Sequence, residues 1–285
     1  RMQQLQTVDG YTVLLRRHEV VVEGNGQRHV LQLHTADPTT LLGADRNDTI
    51  EELPTWTLLW DCSLLLVRQI LLGGLIKSRS PGPVVLDLGA GGGILTMALL
   101  MAGASEVHLV DLDPDALQLA RINLESAGLL DDRVHLHRLD WNHTDDWPIG
   151  MDMIVAGDIL YGPDIAHTLR KLVTETPILK PGGRFFFCDP HRGQIPKFRM
   201  WLEEHEHCAA VLQHEGSFCS LEGFWSDGLV LEGVRKSSQP LLGESQIQCE
   251  LFLTKPASDE ASVAATPPPA PPPPSAEWLA EHGGS

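Results

Sequence analysis

Residues 86–95 read LDLGAGGGIL: an apolar strand end carrying one carboxylate, a glycine crest, and the first residues of an apolar helix. The strand extends back through PVVLDLG at 83–89, a short apolar run bounded by turn residues. Gly89, Gly91 and Gly93 permit a tight strand-to-helix turn and let a ligand approach the backbone without obstruction by a Cβ atom. A dinucleotide fingerprint runs G-x-G-x-x-G or A, but its last position falls on Ile94 here and the match fails. The spacing is instead G-x-G-x-G, preceded by Asp87.

Outward from this crest the chain alternates strand and helix patterns. EVHLVDLD (106–113) is a second strand, and Asp113-Pro114 reads as a helix N-cap with proline in the first turn. That helix, DALQLARINLESAG, ends at Gly128, where a left-handed cap is expected. VHLHRLDW (134–141), MDMIVAGD (151–158) and RFFFCDP (184–190) supply three more strands, with IAHTLRKLV (165–173) a helix between the last two. Such alternation predicts an α/β fold with a doubly wound, mostly parallel sheet. Ligands bind at the carboxyl ends of the strands in these sheets, and Asp87, Asp111, Asp140, Asp158 and Asp189 all fall at such ends.

Composition bounds the remainder. The 285 residues are 42% hydrophobic, which suits one globular domain, here 55–256, with extensions on both sides. Residues 1–54 alternate apolar and polar, with Asn25-Gly26 as a hairpin signal, and form a small N-terminal β segment. From 257 to 285 a proline-rich tail cannot bury a core; its PPPAPPPP run is either a spacer or a polyproline II ligand for an aromatic groove. Lys and Arg number 21 against 38 Asp and Glu, and a net charge of −17 disfavours a nucleic-acid partner and favours a basic protein or cationic molecule. Five cysteines, scattered without a CxxC, argue for free thiols in a reducing compartment, the cytoplasm or the nucleus. RMQQLQTVDG is too polar for a signal peptide, and an opening Arg suggests that the chain begins inside a longer or processed product. The run LLLVRQILLGGLI (64–76) is too short for a membrane span and carries Arg68 and Gln69, so it reads as a core helix.

Two of the strand ends suit a nucleoside. Asp111, about twenty residues past the crest, can accept both ribose hydroxyls; Asp113 competes for that role but reads better as the helix cap. Asp140-Trp141 pairs a carboxylate that can accept an exocyclic amine with an indole that can cover an adenine face. Taken in order, the crest, the spaced acid, LDW (139–141) and LKPGGRFFF (179–187) resemble the seven-strand class of S-adenosylmethionine-dependent methyltransferases over about residues 55–256. The resemblance implies a seven-strand Rossmann-like sheet and S-adenosylmethionine as cofactor, bound by Trp60, Asp87, Gly89, Gly91, Gly93, Asp111, Asp140, Trp141 and Gly157.

Within that class, Asp158-x-x-Tyr161 after the fourth strand is similar to the D-x-x-Y motif of the methyltransferase-like protein-lysine methyltransferases. TWTLLWDCSLLLVRQIL (55–71) resembles their tryptophan-containing segment, although Asp61-Cys62 follow Trp60 where members often have Pro, Gly or Ala. FFFCDPHRG (185–193) resembles the D-P-x-R stretch of members that modify the electron-transfer flavoprotein β subunit. Methyl transfer is an in-line displacement that needs an aligned, deprotonated nucleophile but no covalent intermediate. A free lysine has a pKa near ~10.4, which desolvation lowers. The resemblance implies that Asp158 orients the incoming ammonium, or touches the amino-acid end of the cofactor, and that Tyr161 positions the amine or walls the channel. Gly162-Pro163 after the pair reads equally as turn chemistry.

The expected partner is a lysine-containing, basic protein. Two rivals remain: a methyltransferase of RNA or of a small nicotinamide-like amine on the same scaffold, and a non-catalytic interaction protein with a vestigial pocket. No metal is expected. His205 and His207 in HEHC (205–208) point to different sides of a helix, and Asp189-Pro190-His191-Arg192 is either the border of a substrate slot or a plain turn.

Overall fold

A computed structural model describes residues 3–37, 40, 53–76, 81–190, 195–204, 208–219 and 225–235. The proline-rich tail, His191-Arg192 and His205 and His207 lie outside these residues.

The chain opens with a three-stranded antiparallel sheet: β1 (Gln3–Gln6), β2 (Thr12–Gly24) and β3 (Gln27–Ala36). Asn25 and Gly26 make the expected two-residue turn, with φ of 52° and 71° and Gly24 paired to Gln27. Positive φ at both central positions is the type I′ geometry, whose twist matches that of the strands it joins.

Seven further strands form one sheet: β4 (Val84–Leu88), β5 (Glu106–Asp111), β6 (Val134–Arg138), β7 (Met151–Gly157), β8 (Leu179–Pro190), β9 (Cys208–Cys219) and β10 (Trp225–Arg235). Their order is β6-β5-β4-β7-β8-β10-β9. The pairings from β6 to β8 are parallel, and β10 runs antiparallel to both its neighbours. This is the doubly wound, mostly parallel seven-strand sheet expected from the motifs. Five of its strands are readable as apolar runs, whereas β9 and β10 were implied by the resemblance alone.

Alternation along the strands divides the core into two layers. Val85, Val107, Leu109, Val155 and Phe186 pack with α1 (Ser63–Leu72), α2 (Ile94–Ala102) and α3 (Pro114–Ser126). Leu86, Leu88, Ile154, Phe185 and Phe187 face the other way, against α4 (Pro163–Thr174) and α5 (Ile195–Glu203). The α3 boundaries follow the sequence: Asp113 accepts a hydrogen bond from the Asp115 amide (2.8 Å) as N-cap, and Gly128 adopts φ 67° just past the last turn.

The N-terminal sheet is part of the same packing. Leu5, Val13, Leu15 and Ala36 meet Ala116 and Leu119 of α3, and Val20, Val22, Leu31 and Leu33 join the layer around α1. One buried side chain fixes this docking. The Asn123 amide on α3 accepts from the His34 backbone amide (2.7 Å) and donates to the carbonyls of His34 (3.1 Å) and Gly92 (2.8 Å). Replacing Asn123 with Leu strands three backbone groups, two of them in buried hydrogen bonds, at about 1 kcal/mol each. Asn123→Leu is therefore expected to lose on the order of 3 kcal/mol, read as a lower urea midpoint with an unchanged slope.

Candidate functional site

A cavity of about 1140 Å³ opens at the carboxyl ends of β4, β5, β6 and β7. The strand order reverses between β4 and β7, so this is the switch point where doubly wound sheets bind ligands. Trp60, Gly89, Gly91, Asp111, Asp140, Trp141, Gly157, Asp158 and Tyr161 all line it. Asp87 and Gly93, from the same expected set, stand behind its wall.

The crest adopts backbone conformations that L side chains rarely enter, with φ of 65° at Gly89, 51° at Gly91 and 77° at Gly93. A Cβ on Gly91 would meet nothing within 4 Å and would project into open space, whereas one on Gly93 would press to 3.1 Å from the Ala120 Cβ of α3. Gly91 thus keeps backbone open to a ligand, and Gly93 lets α3 approach. The Asp111 carboxylate ends β5, accepting from the Gly91 amide (2.9 Å) and the Asp113 amide (3.0 Å). Burial pushes its pKa above the ordinary carboxylate range, against the opposing pull of those amides.

Asp140 lies at the exposed rim, where its carboxylate accepts from the backbone amide and side chain of Asn142, both at 2.9 Å. These bonds hold its pKa below the usual range. Trp141 lies half-buried beside Gly89, its Cζ3 3.8 Å from where a Cβ on that glycine would stand. Asp87 is fully buried; it accepts from the Thr96 hydroxyl (2.6 Å) and clamps α2 to β4, while its Oδ1 has no hydrogen-bond partner among the described residues. Burial raises its pKa to about 7.

At the end of β7, Gly157 touches α1 so closely that a Cβ there would stand 2.2 Å from the Ser63 hydroxyl. Asp158 follows with φ 57°, a left-handed conformation that few residues other than glycine, asparagine and aspartate adopt readily. Its amide donates to the Cys188 carbonyl (2.7 Å), and its Oδ2 lies 3.3 Å from the Cys62 thiol, which donates to it. A hydrogen bond with Cys188 and burial push the Cys62 pKa far up, so this thiol keeps its proton and stays a donor. Position 62, where the chain departs from the family pattern, is therefore a direct contact of the expected catalytic acid. Tyr161 is 57% exposed at the mouth. Its pKa is raised by burial of the hydroxyl end and by the charge of Asp111.

One wall has no counterpart in the sequence reading. The β1–β2 turn contributes Thr7, Val8, Asp9 and Tyr11, held to α3 by a bond from the Val8 amide to Asp115 Oδ1 (2.9 Å). Val8 and Tyr11 are largely exposed and flank the turn dipeptide Asp9-Gly10; two large apolar residues in a polar turn were the available signal. Among the described residues, the cavity lining carries six carboxylates (Asp9, Asp111, Asp113, Asp115, Asp140 and Asp158) against one guanidinium, Arg138.

The strand order, the glycine crest open to the cavity, and a carboxylate anchored beside it define a class I S-adenosylmethionine-dependent methyltransferase. Residues 48–192 match the lysine methyltransferase family, and the chain belongs to that family. It is 30% identical over 142 residues to the electron transfer flavoprotein beta subunit lysine methyltransferase of Danio rerio, covering 50% of this chain and 52% of that protein. It is 37% identical over 117 residues to the ribosomal protein L11 methyltransferase of Carboxydothermus hydrogenoformans, covering 41% of this chain and 35% of that one. The chain thus spans about half, or less, of the length of these relatives. Among solved structures, magnesium protoporphyrin IX methyltransferase of Synechocystis PCC 6803 with its bound cofactor aligns at 16% identity and a TM-score of 0.49, over 61% of this chain and 80% of that one.

S-adenosylmethionine is the cofactor, and the site fits it. Gly91 leaves a gap that a side chain would fill, Asp111 presents a fixed carboxylate, and the cavity exceeds what a nucleoside needs.

The raised pKa of Asp87 has a consequence for stability. An unfolded aspartate near 3.8 loses its proton first as pH rises, while the folded protein keeps it until about pH 7. Stability accordingly falls between those values, by about 4 kcal/mol in all, and the loss is complete above the folded pKa. Asp87→Asn is expected to flatten this dependence; parallel melting profiles for variant and wild type from pH 5 to 8 would count against it.

Proposed function

We propose that this methyltransferase is a protein-lysine N-methyltransferase acting on a basic segment of another protein. The observation that supports it most is Asp158. A charged side chain in an uncommon backbone conformation ends β7 beside the cofactor crest and lines an acidic cavity with an aromatic mouth. The two relatives fit this reading, one named as a lysine methyltransferase and the other as a methyltransferase of a ribosomal protein.

The cofactor supplies an electrophilic methyl group on a sulfonium. The chain's own residues prepare the nucleophile. Carboxylates around the rim attract a lysine ammonium, and the Asp158 oxygens accept a charge-assisted hydrogen bond from it. Tyr161 and Trp60, both at the mouth, cover the aliphatic stem of the lysine and strip water from its nitrogen. Desolvation favours the neutral amine, and its proton leaves through the open rim. The Cys62 thiol holds one Asp158 oxygen in place. The excess of carboxylates over guanidinium in the lining opposes a phosphate backbone, which weighs against RNA. We place the enzyme in the cytoplasm or nucleus, on its cysteine usage.

The test is incubation of the full chain with radiolabelled S-adenosylmethionine and cell extract, followed by mass spectrometry of the labelled species. Label on lysine, lost after protease and retained after nuclease, is the expected result; the reverse pattern rejects it. Asp158→Asn tolerates the left-handed backbone and is expected to bind S-adenosylhomocysteine as the wild type does, with methyl transfer reduced about 100-fold or more.

A further inference from the structure

Outside the cavity lining, the β5–β6 pair carries a cluster that the methyl-transfer chemistry does not use. Glu106 and His108 alternate along β5, His135 and His137 along β6, and the register pairs His108 with His135. All four side chains project from one face of the sheet. The opposite face is covered by α3 through Val107, Leu109 and Val134, while α4 and α5 pack further along, against β7 and β8. The polar face at the β6 edge stays partly open.

Its geometry is specific. One oxygen, Glu106 Oε1, stands 3.0 Å from His108 Nε2 and 2.9 Å from His135 Nε2. The three atoms all lie within 4.8 Å of one another, and ligands around a tetrahedral zinc stand about 3.3 Å apart. The other nitrogen of His108, Nδ1, is 2.9 Å from His137 Nε2. The rings of His108 and His135 stack at 4.9 Å, and those of His108 and His137 at 5.1 Å, which holds the imidazoles side by side. We propose that Glu106, His108 and His135 form a binding site for a divalent transition-metal ion of the zinc class, with His137 as the hydrogen-bond partner that orients His108.

Two imidazoles and one carboxylate select borderline ions such as Zn²⁺ or Co²⁺ over Mg²⁺ or Ca²⁺, which prefer all-oxygen shells. Metal at His108 Nε2 requires the ring proton on Nδ1, from which it donates to His137, the arrangement in which a second residue fixes a ligand's tautomer. Side-chain exposures of 38% for Glu106, 41% for His135 and 13% for His108 leave an approach from solvent and an open coordination position for water. Glu106 is five residues before Asp111 on β5, roughly 16 Å along the strand. The ion therefore does not act on the transferred methyl group; it ties the edge strand β6 to β5.

The test uses the full chain after chelator treatment, titrated with Co²⁺ and followed by its visible d–d absorption, with Zn²⁺ competition by calorimetry. One ion per chain is expected, with a rise in melting temperature when Zn²⁺ is added. Glu106→Gln and His135→Ala, both at partly exposed positions, should each weaken Co²⁺ binding about tenfold or more. His167→Ala, an exposed histidine on α4, should leave it unchanged. Circular dichroism confirms that each variant is folded. Absence of saturable binding in the wild type, or wild-type affinity in either ligand variant, overturns the proposal.

Discussion

Everything at the cofactor end of the molecule depends on the carboxamide of Asn123. A glycine crest is conformationally loose, and its carbonyls and amides must be held by something other than a regular ladder. Asn123 holds Gly92 from behind while the same side chain grips both backbone groups of His34 on β3. The crest, α3 and the N-terminal sheet are thereby fixed to one point. Asp111 completes the restraint from the front by taking the Gly91 amide. With the crest held on two sides, the cavity floor is preorganised, and ligand binding need not order the loop.

The site concentrates local strain and unfavourable charge within a well-packed frame. Asp158 occupies a left-handed conformation at the end of a buried strand, and Gly157 before it leaves no room for a side chain against Ser63. Such features persist where surrounding packing over-determines them. The frame here is two apolar layers in which Phe185, Phe186 and Phe187 alternate across β8. The six described carboxylates of the lining repel one another, a cost that a cationic occupant relieves.

Local features were legible in the sequence and distant couplings were not. The I′ turn at Asn25-Gly26, the Asp113 cap and the left-handed Gly128 each follow from two or three adjacent residues. The central strands were readable because they are apolar runs bounded by turn residues, whereas β9 and β10 (with HEG at 214–216 and SDG at 226–228) lack that clean pattern. The crest and its acids could be placed at one sheet edge from topology alone. Which of them face the ligand could not: Asp87 and Gly93 look equivalent to their neighbours in sequence, yet one clamps a helix and the other makes room for α3. Cys62 meets Asp158 across a separation of 96 residues, and Val8 meets Asp115 across 107. No periodicity reports such pairs, so the thiol donor and the N-terminal wall emerge only from the fold.

That last separation also sets a timetable. The β1–β3 sheet is synthesised before α3, and its anchors on that helix come 107 residues after Val8 and 89 after His34. At about 5–20 residues per second, the apolar face formed by Leu5, Val13 and Leu15 waits on the order of 5–20 s for its cover. A nascent chain with such an interval exposes a sticky hairpin edge to its neighbours on a polysome. Thr12 and Arg16, which alternate with Val13 and Leu15 along β2, keep the other face of that stretch polar until α3 arrives.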